Sequence, residues 1–286
     1  MAILAGEERM STAIRLKRLL AEHGIAPKKR LGQNFLIDPT VAPQIVSLAG
    51  VQAGDRVVEI GPGVGSLSVP LMQVAGDLHV VERDDEVLPA LRVECSGLGA
   101  LHVVREDALK MNFLALAEKL GGKLKLVANL PYNISSPLMM HLLGHHEAFE
   151  SMTLMFQKEV GERLTAEPST KAYGSMTVQC RLWMDIQMGF EVPQGAFYPA
   201  PKVVSAVIHS RVREAPLVPV ADEALFHQVV RASFAQRRKT LRNSLKTMSA
   251  DAPFWLDEAG IDGGVRAETL EVADFVRITE VAAKSL

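Results

Sequence analysis

The sequence Arg56-Val57-Val58-Glu59-Ile60-Gly61-Pro62-Gly63-Val64-Gly65 decides the fold of this chain. Its first five residues predict a buried strand, and a helix is predicted directly after the glycines, over Ser66 to Val74. Glycines at a first strand-to-helix turn let the backbone approach a ligand closely, which makes Gly61 and Gly63 candidate binding residues. The spacing Gly-x-Gly-x-Gly differs from the dinucleotide pattern Gly-x-Gly-x-x-Gly, so the turn alone does not define the ligand.

Two further predicted strands are followed by acidic residues. The strand Leu78–Val81 ends at Glu82, about twenty residues beyond the glycine turn, where an acidic side chain commonly binds ribose hydroxyls. The strand Leu101–Arg105 precedes Asp107, which can accept a hydrogen bond from the amino group of an adenine or can cap a helix; both remain open. Together with the glycine turn, Glu82 predicts a cofactor that contains a nucleoside.

The alternation of strands and helices predicts an α/β fold, with a parallel sheet covered by helices on both faces. A fourth strand is predicted over Leu124–Ala128, a fifth over Ser151–Phe156 and a last one over Val203–His209. Because open α/β sheets bind ligands beyond the carboxyl ends of their strands, we expect the functional site at that edge.

The fourth strand runs into Asn129-Leu130-Pro131-Tyr132, which carries groups suited to chemistry on a base. The lone pair of an exocyclic amine is spread into the ring, and hydrogen-bond acceptors localise it. The side-chain oxygen of Asn129 and the carbonyl of Leu130 can accept the two N–H groups, and Pro131 confines Leu130 to extended backbone angles. Tyr132 offers a ring face for stacking. For an Asn-x-Pro-Tyr sequence alone, a helix cap followed by a core aromatic is the alternative.

A second aromatic group lies in the proline-rich loop Phe197-Tyr198-Pro199-Ala200-Pro201-Lys202. One of its rings can close on the opposite face of a base that stacks on Tyr132. The alternative is a core aromatic beside turn prolines, and the residues of the loop leave the two open.

Positive charge is concentrated in a few short segments. A helix with a basic face is predicted over Gln236–Lys246, where Arg and Lys occur without an acidic residue. In a chain of net charge −2, such concentration favours a phosphate-binding surface over a merely solvated face. The candidate RNA-binding residues are Lys28, Lys29, Arg30, Lys202, Arg237, Arg238, Lys239 and Arg242.

Composition limits the classes of protein that fit. The 286 residues are 48% hydrophobic and 22% charged, as in ordinary globular proteins. Two distant cysteines and eight histidines without ligand spacing predict neither a disulfide framework nor a metal site. The first ten residues lack a signal or transit pattern, and no apolar run approaches membrane-spanning length, so we expect a cytoplasmic protein.

Three segments are predicted along the chain. Residues 1–30 form a helical and basic extension, in which the helix from Ser11 to His23 ends at Gly24. Residues 31–212 form the α/β domain. Beyond a proline-containing linker, residues 213–286 show only helical spacing and are predicted to form a small helical RNA-binding domain.

These motifs, taken in order, resemble those of the ribosomal RNA adenine dimethyltransferases, and the match is nearest to the bacterial small-subunit branch of that family. The resemblance covers nearly the whole chain. It rests on the following segments: Gln33-Asn34-Phe35-Leu36, Glu59-Ile60-Gly61-Pro62-Gly63-Val64-Gly65, Asn129-Leu130-Pro131-Tyr132, Phe197-Tyr198-Pro199-Ala200-Pro201-Lys202-Val203-Val204-Ser205 and the basic segment from Arg237 to Leu245.

The resemblance implies a Rossmann-like methyltransferase that takes S-adenosylmethionine as donor and releases S-adenosylhomocysteine. It implies N6,N6-dimethylation of two adjacent adenines near the 3′ end of small-subunit (16S) RNA, in a pre-30S particle, by a monomer. Cofactor roles are implied for Asn34, Leu36, Gly61, Glu82, Asp107 and Asn129. Target-adenine roles are implied for Asn129, Leu130, Tyr132 and Phe197.

Four other interpretations remain open from the sequence. The first is the large-subunit adenine dimethyltransferase of macrolide resistance, which shares the Asn-x-Pro-Tyr motif. A DNA adenine methyltransferase usually has proline where Leu130 stands. A factor for ribosome assembly, with methylation secondary, is favoured by the basic tail, and the absence of a transit pattern weighs against a mitochondrial transcription-factor relative.

Overall fold

The computed structural model describes residues 13–236 and 238–285, apart from the side chain of Lys29. The described chain forms two compact units. The first holds the residues up to Gly161 together with Gln187–Val212, and the second holds Glu162–Ile186 together with the residues from Arg213 onward.

The first unit is built on a mostly parallel sheet. Its helices and strands are α1 (residues 13–22), β1 (Phe35–Leu36), α2 (Val41–Ala49), β2 (Val57–Ile60), α3 (Ser68–Ala75), β3 (Asp77–Val81), α4 (Leu88–Glu94), β4 (Ala100–Val104), α5 (Phe113–Leu120), β5 (Leu124–Asn129), α6 (Ser135–Leu143), β6 (Phe149–Gln157), α7 (Lys158–Thr165), β7 (Met184–Val192), β8 (Phe197–Tyr198) and β9 (Ser205–Val212). Both α7 and β7 continue into the second unit.

The seven-stranded sheet has the order β4-β3-β2-β5-β6-β9-β7, and β1 pairs separately with β8. The pairs among β4, β3, β2, β5 and β6 are parallel, whereas β9 runs antiparallel to β6. The predicted strands are therefore present, and the predicted α/β class is confirmed.

The sheet reverses its direction of growth at β2. The next strands along the chain, β3 and β4, add on one side of β2, and then β5 and β6 add on the other side. Val58 is the clearest marker, since it pairs with His79 of β3 and with Leu126 of β5. Such a switch point leaves a crevice at the carboxyl ends of β2 and β5, where doubly wound sheets bind ligands.

Strands with both faces covered hold the sheet together. Leu78 and Val80 of β3 are fully buried, as are Ile45 of α2 and Leu71 of α3, and all four belong to one apolar cluster. All four residues of β2 are buried, so this strand is covered on both faces and its sequence does not alternate between apolar and polar residues.

The second unit has its own helical core. Its elements are α8 (Ser175–Trp183), α9 (Glu223–Phe234), α10 (Leu241–Leu245), α11 (Ala252–Glu258) and α12 (Val272–Ala283). Phe226, Trp255 and Phe275 are fully buried in its apolar cluster.

Residues 162–186 lie in the second unit, although the sequence boundaries 31–212 and 213–286 assigned them to the α/β domain. The physical reason is packing, because Tyr173, Val178 and Leu182 are buried in the cluster of the helical unit. The hydroxyl of Tyr173 also donates to the carbonyl of Leu270 at 2.9 Å.

The predicted basic helix over Gln236–Lys246 is mostly not a helix. Only Leu241–Leu245 is helical, and residue 237 is outside the described chain. The backbone N–H of Leu241 donates to the carbonyl of Val265, and that of Arg242 donates to the carbonyl of Gly263. These bonds to a distant segment, rather than helical spacing, determine where the helix begins. Arg238 and Lys239 therefore lie in the turn before α10.

No helix of the described residues has the length and the apolar character needed to cross a membrane.

Leu182→Ala tests the assignment of residues 162–186 to the helical core. Leu182 is 0% exposed, so we expect its truncation to lower the free energy of unfolding by about 2–5 kcal/mol, measured by urea denaturation. Leu114→Ala is the matched control, because Leu114 also lies on a helix but is 39% exposed, and we expect a change within about 0.5 kcal/mol. Equal effects of the two substitutions would contradict the assignment.

Candidate active site

A cleft opens at the carboxyl ends of β2 to β5, at the switch point of the sheet. Its empty volume is about 1020 Å³, with the part open to solvent included. The lining comes from residues 30–36, which include β1, from the glycine turn, from the residues that follow β3 and β4, and from the turn after β5. These residues are Arg30–Leu36, Glu59–Gly63, Ser66, Leu67, Val81–Arg83, Glu106–Ala108 and Asn129–Ile134.

The glycine turn forms the floor of the cleft. Gly61 has a φ of +67° and Gly63 a φ of +54°, values that side chains other than glycine adopt rarely. A Cβ built on Gly61 would meet only Pro131, at 3.9 Å, so this position faces open space. A Cβ on Gly63 would come within 3.0 Å of the Phe35 ring. Glycine is thus needed for conformation at both positions and for close packing at the second.

Glu82 lies at the end of β3 and is only 8% exposed. Its Oε1 accepts hydrogen bonds from the backbone N–H groups of Arg83, at 2.9 Å, and Asp84, at 2.8 Å. Burial raises the pKa of this carboxyl above its ordinary value, against those two hydrogen bonds. The carboxylate is therefore held in a fixed orientation at the edge of the cleft.

Asp107 forms a local turn and also lines the cleft. Its Oδ1 accepts from the backbone N–H of Leu109 at 3.1 Å, a local turn bond, and its Oδ2 accepts from Arg83 at 3.1 Å. The residue also lines the cleft. The capping bond thus does not remove Asp107 from the site.

Asn129 is the last residue of β5, and it lines the cleft. Its Nδ2 donates to the carbonyl of Asn34 at 3.3 Å. Since the nitrogen has that partner, the carboxamide oxygen is the group with which Asn129 can accept a hydrogen bond from a ligand. Asn34 is fixed in turn by the bond from its own Nδ2 to Gly32, at 3.1 Å.

Leu130 is 1% exposed and lines the cleft as well. Its backbone N–H donates to the carbonyl of Met155 on β6 at 3.2 Å. Within the described chain, the hydrogen bonds found leave its own carbonyl oxygen without a donor. Two acceptors therefore follow one another at the end of β5.

Tyr132 is a half-buried ring in the cleft lining. Its hydroxyl forms a 2.5 Å hydrogen bond with Oγ of Ser205 on β9, and burial raises the pKa of the phenol. Ser135 donates to the carbonyl of Tyr132 at 2.9 Å. The ring is thus held at both its tip and its backbone.

Phe197 is a buried core residue and does not line the cleft. It is 2% exposed, belongs to the apolar cluster of the sheet and is absent from the cleft lining. The reason is its pairing with Leu36, which binds β8 against β1 and turns Phe197 into a core residue. Leu36 is the member of that pair that lines the cleft. This placement gives no support to the stacking role implied for Phe197.

Glu59 is a cleft residue to which the sequence assigned no role. It is 1% exposed on β2, and its Oε2 accepts from the hydroxyl of Ser68 at 2.6 Å. Burial, together with the nearby Glu82, raises its pKa to about 8. The signal was available, because an acidic residue inside a fully buried strand costs free energy and so marks candidate functional sites.

The basic residues are dispersed. Lys28 is not free to meet a polyanion, since its Nζ lies 2.7 Å from Asp84 and 2.8 Å from Glu86. Arg30 lines the cleft, and Lys202 is exposed in the first unit. In the second unit Arg238, Lys239 and Arg242 are exposed, and Arg242 lies 3.6 Å from Asp257. Arg237 and the side chain of Lys29 lie outside the described residues.

Across the described ranges no group of three or more His, Cys, Asp or Glu side chains has the geometry to hold a metal ion.

Glu59→Gln tests the buried acid through the pH dependence of stability. The pKa of about 8 in the folded protein exceeds the ordinary value of 4.5, so the folded state holds this proton more tightly. The resulting stabilisation is present below pH 4.5 and is lost as pH rises through about 8, by at most about 1.4 kcal/mol per pH unit.

The measurement is the urea midpoint of both proteins from pH 5 to 8.5. We expect the Gln variant to gain stability relative to the native protein as pH rises, whereas the exposed Glu118→Gln follows the native curve. Parallel curves for Glu59→Gln and the native protein would contradict the raised pKa.

The sequence is similar to those of ribosomal RNA methyltransferases. A protein-family model described as ribosomal RNA adenine dimethylase matches residues 25–284. A protein of Magnetococcus marinus named ribosomal RNA small subunit methyltransferase A is 62% identical over 269 residues, which cover 94% of this chain and 96% of that protein. The protein of the same name from Xanthomonas euvesicatoria is 44% identical over 254 residues, covering 89% and 95%.

Solved structures give the same result. A dimethyladenosine transferase from Plasmodium falciparum superimposes with a TM-score of 0.73 at 25% identity, covering 88% of this chain and 98% of its own. The 23S rRNA methyltransferase ErmE superimposes with a TM-score of 0.64 at 25% identity, covering 87% and 99%. The resemblance found in the motifs is thereby confirmed, and the chain belongs to the ribosomal RNA adenine dimethylase family.

Proposed function

We propose that this protein transfers methyl groups from S-adenosylmethionine to N6 of two adjacent adenines near the 3′ end of small-subunit ribosomal RNA. The product is N6,N6-dimethyladenosine, and S-adenosylhomocysteine is released. The observation that carries the proposal is the pair of acceptors at the end of β5, Asn129 and Leu130, beside a glycine-floored cleft at the switch point.

S-adenosylmethionine is the methyl donor of this family, and it supplies an electrophilic methyl group when bound. The cleft fits its nucleoside part. The open space at Gly61 lets the cofactor approach the backbone closely. The fixed carboxylate of Glu82 is suited to accept hydrogen bonds from ribose hydroxyls. Asp107 suits the amino group of an adenine. We assign further cofactor contacts to Asn34, Leu36, Gly63 and Asn129, all of which line the cleft.

The acceptors at the end of β5 perform the activation of the target amine. The Asn129 side-chain oxygen and the Leu130 carbonyl each accept one N–H of N6, which localises the nitrogen lone pair for attack. Pro131 fixes the aim of the Leu130 carbonyl. No basic side chain is required, because the methylated nitrogen becomes cationic and loses its proton to water. Catalysis then comes mainly from holding the two reactants in line.

Tyr132 holds the target base by stacking. Its ring is part of the cleft lining, and the bond to Ser205 keeps it from turning away. A base must leave its stack to reach this ring, which favours a single-stranded loop or end of the RNA.

The second methylation meets a different amine. After the first transfer N6 keeps a single hydrogen, so one of the two acceptors loses its donor and a methyl group takes that place. The two transfers therefore depend differently on Asn129 and Leu130.

RNA binding is assigned to exposed basic residues. Arg30 and Lys202 serve the α/β unit, and the C-terminal part from residue 213 supplies Arg238, Lys239 and Arg242. Arg237 and Lys29 belong to the same basic segments of the sequence. We further propose that the enzyme acts as a monomer on a pre-30S particle in the cytoplasm, where ribosomes are assembled.

Incubating the purified protein with labelled donor and, in separate reactions, under-methylated small subunits and large subunits tests the proposal. We expect label in dimethyladenosine of the small-subunit RNA. Asn129→Ala should lower turnover by about 100-fold or more while the protein stays folded, since it removes one of two acceptors at the reacting amine. Label appearing in large-subunit RNA instead would support the large-subunit alternative, and near-normal turnover of the variant would refute the assignment of Asn129.

Asn112→Ala is the matched control for that variant. The Asn112 side chain caps α5 by accepting from the N–H of Ala115 at 3.0 Å, so its loss affects stability and leaves turnover unchanged. The same Asn129 variant separates catalysis from assembly, because a factor that acts chiefly by binding would still support subunit maturation.

Tyr132→Ala tests the stacking platform. Losing the ring should lower kcat/KM for RNA by the equivalent of about 1–3 kcal/mol, while calorimetry shows cofactor binding largely retained. Tyr132→Phe keeps the ring and loses only the bond to Ser205. Its kcat/KM for RNA should therefore lie between that of the native protein and that of Tyr132→Ala. Equal losses in the two variants would show that the hydroxyl, and not the ring face, matters.

A further inference from the structure

The wall segment, residues 28–36, forms one side of the cleft. Every residue from Arg30 to Leu36 lines it. Its regular structure is limited to a 3-10 turn at Lys29–Leu31 and the short pairing of β1 with β8, so side-chain bonds also hold it in place.

Asp84 binds both ends of the turn that begins the wall segment. Its Oδ1 accepts from Nζ of Lys28 at 2.7 Å, and its Oδ2 accepts from Nε2 of Gln33 at 2.8 Å. The other end of the Gln33 amide accepts from the backbone N–H of Lys28 at 2.9 Å. One carboxylate thereby closes a ring of hydrogen bonds around residues 28–33.

The anchor is charged and shielded from water. Asp84 is 6% exposed, and the side chain of Lys28 is 19% exposed. Burial alone would raise the pKa of Asp84, but the hydrogen bonds from Lys28 and Gln33 outweigh it and leave the pKa below its ordinary value. Asp84 is thus ionised at neutral pH, and charge-assisted bonds of this kind are the stronger ones.

The same residue belongs to the turn that orients the proposed ribose acceptor. The backbone N–H of Asp84 donates to Oε1 of Glu82 at 2.8 Å, and Oδ1 of Asp84 accepts from the N–H of Glu86 at 3.3 Å. Asp84 itself is not among the residues that line the cleft. Its effect on a ligand must therefore pass through its neighbours.

At its other end the wall segment rests on the turn after β5. Nδ2 of Asn133 donates to the carbonyl of Arg30 at 3.2 Å, and Asn129 donates to Asn34 at 3.3 Å. A Cβ on Gly32 would lie 2.7 Å from Oδ1 of Asn133, so the two pieces of chain are in close contact. These bonds are neutral and longer than those to Asp84, which makes Asp84 the stronger of the two anchors.

We propose that Asp84 is a positioning residue which, through Lys28 and Gln33, holds residues 28–36 as a fixed wall of the cleft and so raises the affinity for the nucleoside part of S-adenosylmethionine. This inference rests on the proposed function for the identity of the ligand. The wall that Asp84 holds stands between the ribose acceptor on one side and the turn of Asn129 on the other.

Asp84→Asn tests the inference. The variant keeps the size of the side chain and an oxygen for the N–H of Glu86. It removes the charge that binds Lys28 and puts an NH2 donor where Oδ2 accepts from Gln33. We expect the Kd for S-adenosylhomocysteine, measured by calorimetry, to rise about 10-fold, the loss expected for one charge-assisted hydrogen bond. Hydrogen exchange at residues 30–36 should become faster, while exchange in β2 to β5 stays unchanged.

Steady-state kinetics distinguishes positioning from chemistry. With Asp84→Asn we expect KM for the donor to rise and kcat at saturating donor to stay near the native value. The neighbouring Asp85→Asn is the matched control, since Asp85 is exposed and forms only a surface ion pair with Arg105 at 3.3 Å. We expect its Kd to stay within about two-fold of the native value.

A double-mutant cycle shows whether Asp84 acts through Lys28. Lys28→Gln alone should weaken binding as Asp84→Asn does, Lys28→Arg should restore it, and the double variant should lose less than the sum of the two single losses. The Lys28 variants also test the inference should Asp84→Asn fail to fold.

Two results would overturn the inference. One is native Kd and native exchange at residues 30–36 in Asp84→Asn and Lys28→Gln. The other is additive losses in the cycle, which would mean that Asp84 and Lys28 act independently of each other. Failure of the native protein to bind S-adenosylhomocysteine would overturn the proposed function instead, while the exchange measurement would still report on the anchor.

Discussion

The structure depends on the parallel pairing of β2 with a strand on each side. Val58 is bonded into the ladder between His79 and Leu126, and the chain leaves β2 toward one side and returns later on the other. The connections at the carboxyl edge must therefore diverge, and the crevice between them is a consequence of topology rather than of any special sequence. The sheet order places the glycine turn and the Asn129 turn on the two sides of that crevice.

Sequence patterns predicted the parts of the fold that depend on local information. The strands β2 to β6 are mainly apolar segments that include single polar residues such as Glu59 and Lys125, and their bounds differ from those expected by only a few residues. The cleft residues Gly61, Glu82, Asp107 and Asn129 were predicted for the same reason, since each immediately follows or ends a strand. Residues at the carboxyl ends of neighbouring parallel strands must meet, whatever the rest of the chain does.

Features that depend on distant partners could not be predicted in this way. The residues after Gln236 have helical spacing, but the helix begins only at Leu241. The N–H groups of Leu241 and Arg242 bond to residues more than twenty positions away, which the spacing could not indicate. Phe197 begins an aromatic, proline-rich segment that is typical of a binding loop, yet its pairing with Leu36 buries it. Lys28 lies in a basic run, and only its contact with Asp84, 56 residues on, shows that its charge is used inside the protein.

The cleft also concentrates buried polar groups that fold stability alone would not favour. Glu59 and Glu82 both have raised pKa values, because burial removes their hydration and Glu82 adds its own charge next to Glu59. Asn129 uses its amide nitrogen to hold the wall segment and leaves its oxygen for a ligand, so one side chain joins the two sides of the crevice. A carboxamide serves this purpose where a carboxylate would not, since only the amide has a donor and an acceptor at fixed separation. Asn129 needs a donor for the carbonyl of Asn34 and an acceptor that faces the cleft, and a carboxamide provides both.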